Sequence, residues 1–238
     1  MAESKDSQAK PKAAQPNGVM QATIKATVKK TGRPGGWSWN MVRAGELRDS
    51  FDKLQIVNSR DGWAATEAGC IAHTTDNGKT WNRERLSLPL GAYVRSMWIS
   101  NAERAWLVIQ RTPEDYLDYE GSESWVKQTA DSGRTWDVQL VGGALELHSV
   151  FFADEQVGWV VGGRRTKRKV LQSEIVVMRT TDQGEHWTDL SEPLNQILGI
   201  PPNSDAVVAV CKMSQGGIAL LTAGRRLIMS TDGSSKWA

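Results

Sequence analysis

Four carboxylates recur at matched positions in this 238-residue chain: Asp76, Asp131, Asp182 and Asp232. Each follows a Thr or Ser by two residues and precedes a Trp by five, which gives Trp81, Trp136, Trp187 and Trp237. An Asp can serve as an acid, a base or a metal ligand, but this spacing points to a different use. The carboxylate can accept hydrogen bonds from backbone N–H groups just downstream and close an Asx-type turn. Gly78, Gly133 and Gly184, two residues after the Asp, supply the positive φ of a tight turn. The leading hydroxyl ties the other side of the loop, and the indole packs its ring between strands. The third copy has His186 where the first two have Thr80 and Thr135, and the fourth lacks both the Gly and the Thr in register. All four motifs are therefore expected to be structural rather than catalytic.

Other groupings with chemical potential fail on spacing. Gly78-Lys79-Thr80 has the tail of a phosphate-binding loop, but His73 stands where the first Gly would be required. His73, His148 and His186 lie far apart, without the close pairing of a transition-metal site, and are expected at ordinary fold positions. Cys70 and Cys211 give no disulfide framework and are expected to be buried thiols. No Gly-x-Ser-x-Gly nucleophile elbow is present. Neither a metal nor a cofactor is expected.

Charge offers a better candidate. The stretch from Arg111 to Ser124 holds five acids and one Arg, a balance of −4, and includes Tyr116 and Tyr119. The stretch from Arg164 to Glu174 holds five bases and one acid, a balance of +4. Both fall where a loop should join the second and third strands of a repeat. Arg164, Arg165, Lys167, Arg168 and Lys169 are the expected binding residues, with Tyr116 and Tyr119 as amphipathic anchors on the neighbouring loop. The alternative is that the two loops pair with each other or are simply solvated, since exposed ion pairs contribute little. A basic element of this kind suits an acidic protein surface or a phosphate-bearing ligand.

The elements that must hold these residues follow from the period. Trp-to-Trp intervals of 55, 51 and 50 residues indicate one supersecondary unit repeated four times. Each repeat starts with an apolar run, such as Lys53-Leu54-Gln55-Ile56-Val57 or Leu147-His148-Ser149-Val150-Phe151-Phe152, followed by a polar turn. A second strand opens on Trp63, Trp106 or Trp159, with Ile218 in the fourth copy. A third strand runs into the Asp motif, and a more polar fourth strand follows the Trp. Four short strands per unit with no helical periodicity describe an all-β propeller of four-stranded antiparallel blades. The last motif ends at Trp237, so Ser38-Trp39-Asn40-Met41-Val42-Arg43 is expected to complete the fourth blade and close the ring. A piece of a larger propeller, or two chains combining into one ring with self-association, are the alternatives.

Residues 1–36 carry a charge of +5, and from 1 to 17 no large apolar residue follows Met1; they are expected to form a disordered or weakly ordered basic segment. Residues 37–238 then form the propeller domain with a charge of −3, which argues against a nucleic-acid partner. No apolar stretch reaches the length of a membrane span, and Met1-Ala2-Glu3-Ser4-Lys5-Asp6 has no signal-peptide core, so a cytoplasmic location is expected.

The repeated motif is similar to the Asp-box, or BNR repeat, of sialidases and other β-propellers. With the strand openings Asp61-Gly62-Trp63-Ala64 and Val157-Gly158-Trp159-Val160, the chain resembles the photosystem II stability and assembly factor family. That resemblance spans about Trp39 to Trp237. It implies Asp-boxes between the third and fourth strands of each blade, on the face opposite the two charged loops. It also implies a non-catalytic scaffold that binds a protein partner in the manner of an assembly factor. A sialidase-like glycoside hydrolase or a glycan-binding propeller is the alternative. Hydrolysis of that type needs a Tyr nucleophile and an Arg cluster, and the chain has three Tyr and no Phe/Tyr-Arg-Ile-Pro signature.

Overall fold

A computed structural model describes residues 20–21, 50–112, 122–143, 145–167, 172–198, 207–213, 217–222, 225–234 and 237. Short β-rich runs separated by Gly- and Asp-bearing turns pair with their sequence neighbours, and each repeat makes one antiparallel sheet. The first sheet contains β2 (Lys53–Ile56), β3 (Gly62–Ala65), β4 (Cys70–Thr74) and β5 (Thr80–Arg85). A two-residue strand, β1 (Met20–Gln21), adds to its outer edge, with Met20 opposite Trp81. The second sheet contains β6 (Ala92–Ile99), β7 (Ala105–Arg111), β8 (Glu123–Thr129) and β9 (Asp137–Gly143). The third contains β10 (Leu145–Phe152), β11 (Gly158–Lys167), β12 (Gln172–Thr180) and β13 (Thr188–Asp189). The fourth contains, among the described residues, β14 (Val207–Lys212), β15 (Ile218–Thr222) and β16 (Leu227–Ser230). A single antiparallel bridge from Ser230 to Trp237 marks where its outer strand would begin.

Period-two alternation on the second strands decides how these blades stack. Trp106 and Val108 face the third blade, while Leu107 and Ile109 face the first. Trp159 and Val161 face the fourth blade, and Val160 faces the second. Three cores result, one between each successive pair of blades. Among the described residues no core joins the fourth blade to the first. Instead Leu54 and Ile56 of β2 are 68% and 62% exposed, and Leu221, Leu227 and Met229 stand out from the far side of the fourth blade. The segment from Ser38 to Arg43, expected to close the ring, lies outside the described residues.

Two features depart from the sequence reading. A helix, α1 (Ser191–Leu198), interrupts the all-β pattern between blades three and four. Asp189 Oδ1 accepts the Ser191 N–H at 2.8 Å, Pro193 falls in the first turn where its missing N–H costs nothing, and Leu194 is fully buried in the third core. Only eight residues long, it shows too little periodicity to stand out from a loop. The second departure concerns register. Ile218 pairs with Ser230 as Gly62 pairs with Thr74 and Gly158 with Thr180. Ala219, not Ile218, therefore occupies the place of the strand-two Trp in the fourth blade. Cys70 is buried as expected, but Cys211 is exposed on that blade's outward side.

Candidate functional site

The Asp-boxes behave as turn devices. Asp76 accepts from Thr74 Oγ1 and Thr80 N through Oδ1, both at 2.9 Å, and from Thr80 Oγ1 through Oδ2 at 2.7 Å. Thr74 Oγ1 in turn accepts the Gly78 N–H at 2.9 Å. Asp131 repeats this set with Thr129, Gly133 and Thr135. Asp182 repeats it with Thr180 and Gly184, and His186 Nδ1 takes the hydroxyl's place at 2.7 Å. Hydrogen bonding from Thr80, Thr135 and His186 holds the three carboxyls down to about 2. The fourth box closes differently: Asp232 accepts from Ser230 Oγ and from Ser234 N, both at 3.0 Å. Positive φ falls on Gly78, Gly133 and Gly184 as expected, and also on Asn77, Ser132 and Gln183 just before them. In the fourth box it falls on Gly233, directly after the Asp.

With most of their acceptor capacity taken up by their own turns, the box carboxylates offer little to a substrate. Asp182, Glu185 and His186 form the one cluster of possible metal ligands among the described residues, but Asp182 and His186 already bond each other at an exposed site. His73 stacks on Trp63 at 4.3 Å between ring centres, and burial lowers its pKa. His148 meets Arg95 at 3.3 Å across the first strands of blades two and three; burial and then Arg95 lower its pKa.

The boxes also fix the faces of the molecule. Asn77 N donates to Arg60 O, Ser132 N to Glu103 O and Gln183 N to Gln156 O, so each of the first three boxes sits on the strand one–two turn of its own blade. The strand two–three hairpins must emerge on the opposite face. In blade two, Arg111 and Glu123 form an ion pair at 2.8 Å at the base of the acidic hairpin. Tyr116 and Tyr119 lie outside the described residues. In blade three the basic stretch is less a loop than a ribbon. β11 continues through Lys167, with Arg165 opposite Ser173 and Lys167 opposite Gln172. Arg164 bonds Asp189 at 3.1 Å and approaches Glu174 at 3.8 Å. Arg168 and Lys169 lie outside the described residues. Arg111, Glu123 and Arg164 thus each pair within their own blade.

One set of functional contacts escaped the sequence reading. The strand-two Trp of each of the first three blades reaches forward onto the Asp-box of the next. Trp106 Nε1 donates to Gln183 O at 3.2 Å, and Trp159 Nε1 donates to Gly233 O at 2.8 Å. The Trp63 ring lies under Gly133, where an added Cβ would come within 3.2 Å of it. Box Gly133 is flanked on its other side by its own Trp136, and Gly184 by Trp187. The Gly-Trp openings carried the signal, but nothing in one strand's sequence says which blade its indole serves.

A family model described as a BNR repeat-like domain matches residues 53–238. The chain belongs to the BNR repeat-like domain family. Among solved structures, this BNR-repeat propeller is similar to YCF48 from Cyanidioschyzon merolae, with 16% identity and a TM-score of 0.55 over 80% of this chain and 56% of that one. It is also similar to a structure described as YCF48 bound to D1 peptide, with 15% identity and a TM-score of 0.52 over 79% of this chain and 53% of that one. A GH74 enzyme from Niastella koreensis matches at 15% identity and a TM-score of 0.43, over 75% of this chain and 27% of that one. The BNR-repeat chain therefore spans about half the length of the two YCF48 structures. No curated protein matches the sequence significantly.

Proposed function

We propose that this propeller is a non-catalytic scaffold that binds a protein partner, in the manner of an assembly factor, through the face bearing its strand two–three hairpins. The observation that carries this reading is the extension of β11 through Lys167. Bases on a paired ribbon have fixed spacing, so they can match an acidic surface at less entropic cost than bases on a free loop. The box carboxylates, on the other face, are consumed by their own turns. A propeller of the same fold is recorded bound to a peptide, which supports a peptide or protein as the ligand class. Arg164, Arg165, Lys167, Arg168 and Lys169 provide the basic contacts, with Tyr116 and Tyr119 on the adjoining hairpin. The test is affinity capture from native extract with the intact chain and with the five bases changed to Ser. A partner recovered by the first and lost by the second is expected; equal recovery by both removes the basic hairpin from the reading. Fluorogenic sialosides incubated with the same preparations are expected to remain intact, and turnover would replace the scaffold reading with a glycosidase.

A further inference from the structure

Each of the four blades builds the same socket, and described side chains fill three of the four. The socket has four walls: the last residue of strand one, the first of strand two, the Asp-box turn, and the box Trp. In blade two these are Ile99, Ala105, Gly133 and Trp136, and Trp63 from blade one fills the space. In blade three they include Phe152, Gly184 and Trp187; Trp106 fills the space, stacked on Phe152 at 3.9 Å between ring centres. In blade four Ile218 and Trp237 enclose Trp159. Gly133, Gly184 and Gly233 are all buried as a result.

Blade one has the same walls in Ile56, Gly62, Gly78 and Trp81, joined by Thr74 and Asn77, around an open cavity of about 100 Å³. No described side chain reaches across it. Gly78 is only half-buried, its nearest neighbour being Trp81 at 3.8 Å from an added Cβ, and Asn77 is exposed. The acceptors for the incoming indole N–H elsewhere are Gln183 O and Gly233 O, each directly after the box Asp. Asn77 O holds that place in blade one.

We propose that this cavity is a binding site for the indole of a tryptophan carried on a strand of a further BNR-type blade, one outside the four described here. The ring would lie against Ile56 and Gly78, with its N–H on Asn77 O. The occupant is identified by the three internal copies: each takes an indole presented from strand two of a neighbouring blade, and Leu54 and Ile56 supply the apolar flank that a blade-to-blade contact requires. A second copy of this chain does not meet the requirement, because its outward blade presents Ala219 at the indole position.

The test is a titration of the isotope-labelled full chain, followed by backbone amide NMR. The probe is an acetylated peptide, Asp-Gly-Trp-Ala-Ala-Lys-Lys, which copies Asp61–Ala65 and adds two lysines for solubility. Saturable shifts at the amides of Ile56, Gly62, Asn77 and Gly78 are expected. Replacing the peptide's Trp with Ala, or making Ile56→Asp in the chain, is expected to weaken binding by about tenfold or more. Ile56 is largely exposed, so that substitution leaves the fold intact. Absence of saturable shifts at these amides overturns the proposal, as does equal binding of the Ala peptide. A doubled mass in solution with these amides already protected also overturns it, by giving the site to a second copy.

Discussion

A carboxylate that accepts three hydrogen bonds from its own turn has a definite consequence for pH. Asp76, Asp131 and Asp182 ionise at about 2 in the folded chain because their partners favour the charged form, whereas an unconstrained Asp ionises near 3.8. The unfolded state therefore takes up protons first as the solution is acidified. The boxes' contribution is complete above about pH 4 and is lost as pH falls towards 2. His148 and His73 act earlier and in the same direction. Their pKa values are lowered in the fold, so acidification through the ordinary histidine range near 6.5 also favours the unfolded chain. We expect urea midpoints to fall in two stages, one between about pH 7 and 5 and a second below about pH 4. His148→Gln is expected to flatten the first stage and leave the second. An unchanged first stage in His148→Gln and His73→Gln would remove the histidines from the account.

At the scale of the element, the strand-two Trp is the joint between blades, and its three copies are not equivalent. Trp106 and Trp159 donate their indole N–H to the next box, but the buried Trp63 Nε1 has no partner among the described residues. Leaving a buried donor unpaired costs free energy, whereas removing it relieves that cost. Trp159→Phe is therefore expected to destabilise the chain by about 1–3 kcal/mol, and Trp63→Phe by about 1 kcal/mol less, measured by chemical denaturation. Equal losses would mean that ring size alone matters. Much of this level was legible in the sequence. The box spacing located every strand three–four turn, and the apolar runs located the first and second strands. What escaped had physical reasons. Ile218 looked like the Trp counterpart because it is the larger apolar residue, yet pairing to Ser230 moves the position to Ala219. The helix at Ser191–Leu198 is short, and among its described side chains Leu194 is the one buried apolar residue. The ribbon through Lys167 is built from charged residues, and its pairing with Gln172 and Ser173 comes from hairpin register rather than from hydrophobic alternation.

The described residues form a row of four blades joined by three cores, and such a row has ends. Stability in a stack of this kind is a sum of blade terms and nearest-neighbour contacts. Blades two and three are packed on both faces, with Leu107, Val108, Val160 and Val161 all fully buried. Among the described residues, blades one and four are packed on one face; the other faces carry Leu54 and Ile56, or Leu221, Leu227 and Met229. The fourth blade is weaker still, since its described residues form three strands and a single bridge to Trp237. Opening should therefore proceed inward from the ends. Native-state hydrogen exchange is expected to show the slowest amides in β7, β8, β11 and β12, intermediate protection in β3 and β4, and the fastest exchange in β15 and β16. Binding at the socket of blade one would slow β3 and β4 towards the rate of the inner blades, because it supplies the missing neighbour. Uniform protection across all four blades would instead require the two end faces to be in contact, and the ring to be closed in solution.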